Sequence, residues 1–152
     1  MMIMKTFALV VCPLVVFSLA QAQDLPTGAG KETVEKVCTA CHDLGAVVAL
    51  TGTKEIWQSV VDDMKVRGAD ATETEFTSII NYLAKYLGPP VHVNAAAAKD
   101  LQTQLDITAA ESEAIVKYRT DKGNFKEWAD LQKVSGVDMQ KLEPLKKRIK
   151  FD

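Results

Sequence analysis

Pro89-Pro90, preceded by Gly88, is the feature that most limits what this chain of 152 residues can fold into. Proline has no amide hydrogen to donate, and its ring pushes the residue before it out of the helical region, so no helix runs through a diproline. On both sides of the break the apolar residues recur at helical spacing. The chain is therefore divided into two helical units of about 60 to 70 residues, each with little core of its own.

Charge divides at the same place. Residues 23–90 carry 10 acidic and 6 basic side chains, a net of −4, and residues 91–152 carry 10 acidic and 11 basic, a net of +1. Neither half has the strongly basic balance of a typical nucleic-acid binder. A composition of 47% hydrophobic and 25% charged residues is that of an ordinary soluble chain.

The first 22 residues read differently. Met1 to Lys5 is a short basic start, Thr6 to Leu19 an apolar run and Ala20-Gln21-Ala22 a small-x-small cleavage site, which together predict a secretory signal, a mature start at Gln23 and a periplasmic or secreted product. The apolar run is shorter than the roughly 20 residues of a spanning helix, and no later segment approaches that length. Cys12 leaves with the signal. Two cysteines remain, too few for a disulfide framework.

No strand pattern competes with helix after residue 22. In the first unit helices are predicted over Lys31 to Val37, Lys54 to Arg67 and Thr72 to Leu87, with Ile56, Val60, Val61 and Met64, then Phe76, Ile79, Ile80 and Leu83, on single faces. Thr53 and Thr72 fit as N-caps, and Gly68 and Gly88 as stops. In the second unit Ala95 to Leu105, Ala109 to Tyr118, Glu127 to Val134 and Met139 to Ile149 read as helices, with Asn94 and Thr108 capping and Gly123-Asn124 and Ser135-Gly136 turning. The fold class expected is all-α, with a signal over 1–22 and domains over 23–88 and 91–152.

Cys38-Thr39-Ala40-Cys41-His42 follows the first of these helices. C-x-x-C-H is the attachment signature of a c-type haem: two thiols on one turn each add to a vinyl group of the same porphyrin, and the adjacent imidazole binds the iron. Cys38 and Cys41 are the expected thioether residues and His42 the axial one. A structural zinc site needs four ligands, and outside the motif only Cys12, His92 and carboxylates are on offer. A thioredoxin-like motif needs a preceding strand, and Lys31 to Val37 reads as helix. One covalently held haem c is the cofactor expected.

The first unit resembles class I cytochromes c, in particular the small cytochrome domains that accompany dehydrogenases. Over Gly30 to Gly88 the resemblance is carried by the haem motif, by Gly30 eight residues before Cys38 with Tyr82 as its crossing aromatic, and by the order Trp57, Met64, Arg67-Gly68-Ala69, Tyr82-Leu83. It implies Met64 as distal iron ligand. His92 or an open position are the alternatives, and the choice separates an electron carrier from a ligand-binding or peroxidase-like site. Trp57 and Arg67 are candidates to hold the haem propionates, or else a packing aromatic and a surface charge. No proline lies between His42 and Pro89, so the proline carbonyl that orients the imidazole in many of these cytochromes must be replaced by another from Asp43 to Val47.

The second unit resembles the double helix-hairpin-helix module of the competence DNA-receptor family. The matching features are Val91-x-Val93-Asn94-x-Ala96, Ala114-Ile115-Val116-x-Tyr118-Arg119, Gly123-Asn124-Phe125, Asp130-Leu131, Val134-x-Gly136-Val137 and a closing Leu145 to Ile149. DNA-binding units of this kind hold phosphates with amides of a G-h-G hairpin. Here the hairpins read Asp106-Ile107-Thr108 and Gly136-Val137-Asp138, so three of four glycines are absent and two are acids. Acids beside phosphate are repulsive. Lys141, Lys146, Lys147, Arg148 and Lys150 form a basic end.

These readings together predict a periplasmic monohaem electron-transfer cytochrome and not an enzyme, whose second domain docks a redox partner such as a dehydrogenase, oxidase or reductase. A DNA-associated cytochrome and a haem sensor or peroxidase-like enzyme with an open distal site are the other functions considered.

Overall fold

The computed structural model describes residues 24–152. The predicted signal, its cleavage point and Cys12 lie outside the described residues. In chain order the elements are α1 (Lys31–Cys38), α2 (Gly45–Val48), α3 (Lys54–Val66), α4 (Glu73–Tyr86), β1 (Val91–His92), α5 (Ala98–Leu105), α6 (Ala109–Lys122), α7 (Trp128–Leu131), α8 (Met139–Leu142), a 3-10 segment (Glu143–Arg148) and β2 (Ile149–Lys150).

Two hydrophobic cores lie on either side of the diproline. The first gathers Val34, Trp57, Val61, Phe76, Ile79, Ile80, Tyr82 and Leu83, with Leu25 from the segment before α1. It is built where α4 packs against α1 and α3. Gly30 has φ +98°, and a β-carbon there would stand 3.0 Å from that of Tyr82, so α1 enters beside α4 at a distance only glycine permits. The Tyr82 hydroxyl donates to the Pro26 carbonyl and ties the segment before α1 down. Thr72 caps α4 in a reciprocal box with Glu75, as its position before a Glu three residues on suggests.

The second core gathers Val91, Val93, Leu101, Leu105, Ile107, Ile115, Phe125, Leu131, Leu142, Leu145 and Ile149. Four expectations are corrected here. Two short strands exist, β1 and β2, paired in parallel with Val91 opposite Ile149, so the chain is predominantly but not wholly helical. Asn94 is not a helix cap. Its side chain accepts from the Phe125 amide at 2.9 Å and donates to the carbonyls of Phe125 and Phe151 at 2.9 and 2.8 Å, tying three segments together. Ala95 and Ala96 turn back onto the His92 carbonyl, which delays α5 to Ala98. The last predicted helix stops at Leu142, because Pro144 lacks the amide that an α-helical ladder needs, and a 3-10 segment replaces it.

The halves meet at Arg148, which is buried. Its guanidinium donates to the carbonyls of Pro89 (3.1 Å), Gln104 (3.2 Å) and Lys85. Lys85 lies in the last turn of α4, where the helix dipole also favours a cation. Burial lowers the Arg148 pKa, and the carbonyls supply the compensation a buried cation requires. Gly88 permits this, since a β-carbon there would lie 2.4 Å from the Ala84 carbonyl and 2.8 Å from the guanidinium.

Candidate functional site

Helices α1 to α4 enclose an apolar cleft of ≈ 150 Å³. Cys38, His42, Trp57 and Met64 line it, with walls that include Val61, Phe76, Ile79 and Leu83. Segments more than 20 residues apart in sequence therefore bring the two halves of the predicted ligand set to one place. Cys38 and Cys41 are free thiols, the first half-buried and the second exposed. Burial pushes the Cys38 thiol pKa up. His42 directs Nδ1 at the carbonyl of Asp43, 2.8 Å away. A carbonyl accepts only, so Nδ1 is the donor, which in the neutral ring leaves the Nε2 lone pair for a ligand. The Asp43 carbonyl thus orients the His42 ring, and the short Asp43 turn, closed by the Gly45 amide on Oδ1 at 2.7 Å, holds it.

The remaining candidates sit elsewhere or are engaged. Trp57 contributes its buried ring to the cleft, but its indole N–H donates to the Leu87 carbonyl at 3.2 Å, which corrects the propionate role considered for it. Arg67 is exposed at the end of α3, paired with Asp63 at 2.7 Å, and does not line the cleft. His92 belongs to the other half, in β1, with Nδ1 2.8 Å from Asp152 Oδ1, so it is no rival to Met64 at the cleft. Among the described residues no three His, Cys, Asp or Glu side chains converge as a metal site.

The second half presents two hairpins of matching backbone. Asp106 (φ 54°) and Gly136 (φ +86°) each hold the left-handed conformation, and each is followed by an apolar residue and a helix N-cap, Thr108 or Asp138. Glu111 spans them. Its buried carboxylate accepts from the Thr108 amide (2.8 Å) and hydroxyl (2.8 Å) in hairpin one and from the Asp138 amide (3.0 Å) in hairpin two. These bonds hold its pKa at about 2. The two hairpin acids are both exposed: Asp106 pairs with Lys85 of α4 at 2.7 Å, and Asp138 accepts the Gln140 amide at 3.0 Å. Lys141, Lys146, Lys147 and Lys150 are exposed. Arg148, predicted with them, is instead the buried junction residue.

Residues 88–150 match the family model of the helix-hairpin-helix motif. The chain is also 34% identical over 62 residues to "ComE operon protein 1" of Bacillus subtilis (strain 168), a stretch that covers 41% of this chain and 30% of that protein. It thus spans under a third of the length of that relative. No solved structure matches. The second half is a helix-hairpin-helix domain, and among the described residues no helix is long and apolar enough to cross a membrane.

These matches correct the expected function. One is to the helix-hairpin-helix motif and the other to a ComE operon protein, and neither is to a cytochrome, so the periplasmic electron-transfer cytochrome, with its second domain as a dock for a redox partner, is set aside.

Proposed function

We propose that the second half binds duplex DNA and that the chain is a binding protein, not an enzyme, acting outside the cytoplasm. The observation that carries this is the pair of hairpins. Each has a residue of positive φ leading into a helix start, which is the backbone arrangement that turns amides toward an anion. The exposure of Lys141, Lys146, Lys147 and Lys150 in the same half supports it. Location rests on the signal-like residues 1–22.

Binding of a fluorescein-labelled duplex by the full chain, followed by anisotropy, tests this. Affinity is expected to fall linearly in log salt between about 50 and 200 mM, as counterion release requires. Replacing Lys146 and Lys147 by Ala is expected to reduce that slope by about 2, one per lost phosphate contact. A duplex affinity that is absent at low salt, or that ignores salt, overturns the proposal.

The cleft supports a second reading, about cofactor alone. Its lining fits a covalently held haem c: apolar walls, the Cys38 thiol, the His42 imidazole and the Met64 thioether, with the exposed Cys41 thiol three residues from Cys38. Cys38 and Cys41 would hold the macrocycle, and His42 and Met64 would ligate the iron. When bound, such a group supplies an iron whose reactivity its axial ligands set. The chain's own part is to orient His42 through Asp43 and to exclude water with Phe76, Ile79 and Leu83. Intact mass of protein exported from a host that matures c-type haem is the measurement. An increment of one haem, lost on replacing both cysteines by Ser, is expected. An unmodified mass overturns it.

A further inference from the structure

A groove of ≈ 680 Å³ with charged side chains in its walls runs between the two halves, and it opens beside the tip of the first hairpin. Its walls carry Thr53 and Lys54 at the start of α3, Lys85 at the end of α4, and Gln104, Asp106 and Arg148 from the second half. Three cations thus face one acid, although the first half as a whole is acidic. Asp106, that acid, is also the hairpin tip, and its partner Lys85 comes from the other half. Arg148 lies beneath, its guanidinium bonded to three carbonyls, so it contributes a fixed positive field and no free donor geometry. Lys54 is exposed and Lys85 half-buried, and the start of α3 adds the positive end of a 13-residue helix. Glu55, the neighbouring acid, is not part of the lining.

We infer that the DNA backbone, once seated on the first hairpin, continues into this groove and is held there by Lys54 and Lys85 of the N-terminal half. This rests on the DNA reading above and deepens it. The contact surface belongs to neither half by itself, and Asp106 acts as a brake on it by competing with phosphate for Lys85. A missing hairpin glycine is thereby matched by a lysine from outside the motif.

The test uses the full chain and the labelled duplex. Lys54→Ala with Lys85→Ala is expected to weaken binding about tenfold or more at low salt and to lower the salt slope by about 2, whereas Lys117→Ala, on the exposed face of α6, leaves both unchanged. Asp106→Asn is expected to tighten binding several-fold by removing the competing charge. Circular dichroism of each variant checks that the fold is retained. Wild-type affinity and slope in the double variant, or weaker binding by Asp106→Asn, overturns the groove. If the double variant binds normally while Lys146→Ala with Lys147→Ala does not, the groove fails and the DNA reading stands. If the unaltered chain binds no duplex, both fall.

Discussion

Glu111 joins the two hairpins through one buried carboxylate, bonded to an amide 27 residues further on, so the protonation of a single group bears on the geometry of the whole presenting surface. Its folded pKa, about 2, lies below the ordinary 4.5, which makes its contribution to stability full above the unfolded value. That contribution is lost as pH falls from about 4.5 toward 2. Glu75, also held at about 2 by the Thr72 amide and hydroxyl and by Lys36, acts in the same window and with the same sign in the first half. Glu111→Gln is therefore expected to lower the unfolding free energy at pH 7 by about 1–3 kcal/mol, the cost of weakening charge-assisted bonds to buried amides. It should also flatten, without abolishing, the loss of stability below pH 5. Urea midpoints of both proteins across pH 7 to 3 check this, and parallel pH profiles would refute it. The capping role of Thr108 was legible, because Thr followed three residues later by Glu is a helix-start signature. The bond to Asp138 was not, since nothing local in sequence pairs residues 111 and 138.

At the scale of elements, what the pattern predicted best were the long amphipathic helices. α3 and α4 begin after Thr53 and Thr72 and end just before Gly68 and Gly88, within a residue or two of expectation. Short elements fared worse. The run from Met139 breaks at Pro144, and the two strands are each two residues long, below what an alternating pattern can reveal. The α1 to α4 crossing is where a single atom matters most. Gly30 combines a left-handed φ with a neighbour only 3.0 Å from any added β-carbon. Gly30→Ala is expected to cost about 1–3 kcal/mol through backbone strain, with further loss from displacement of Tyr82. Since α1 carries Cys38 at its end, the same variant should raise the exposure of that thiol. Thermal unfolding and the rate of Cys38 alkylation measure the two effects; an unchanged melting temperature would contradict the crossing described.

Across the whole molecule, Arg148 decides whether the halves behave as one. Its three carbonyl partners come from α4, the diproline linker and α5, and Lys85–Asp106 adds an exposed ion pair beside it. The exposed pair contributes little, whereas the buried guanidinium leaves orphaned carbonyls when removed. Arg148→Ala is expected to lower the unfolding free energy by about 2–3 kcal/mol and to split calorimetric unfolding into two transitions, one for each core. A single transition of unchanged midpoint would show that the junction does not couple them.

Arg148 also marks the limit of reading by composition. In sequence it is one of five basic residues at the chain end, indistinguishable from Lys147, and only burial against the preceding half sets it apart. The diproline, the capped helices, the Cys38 to His42 signature and the hairpin residues were determined by sequence alone, because each is a matter of local backbone preference or of fixed spacing along the chain. Tertiary structure decided the rest. It chose Asp43 as the carbonyl that orients His42, engaged the Trp57 indole at Leu87, brought Met64 to the cleft and turned Asp106 toward Lys85. The physical reason is common to these cases: the partner of a polar group is set by which segments pack together, and packing distances are not written in sequence separation.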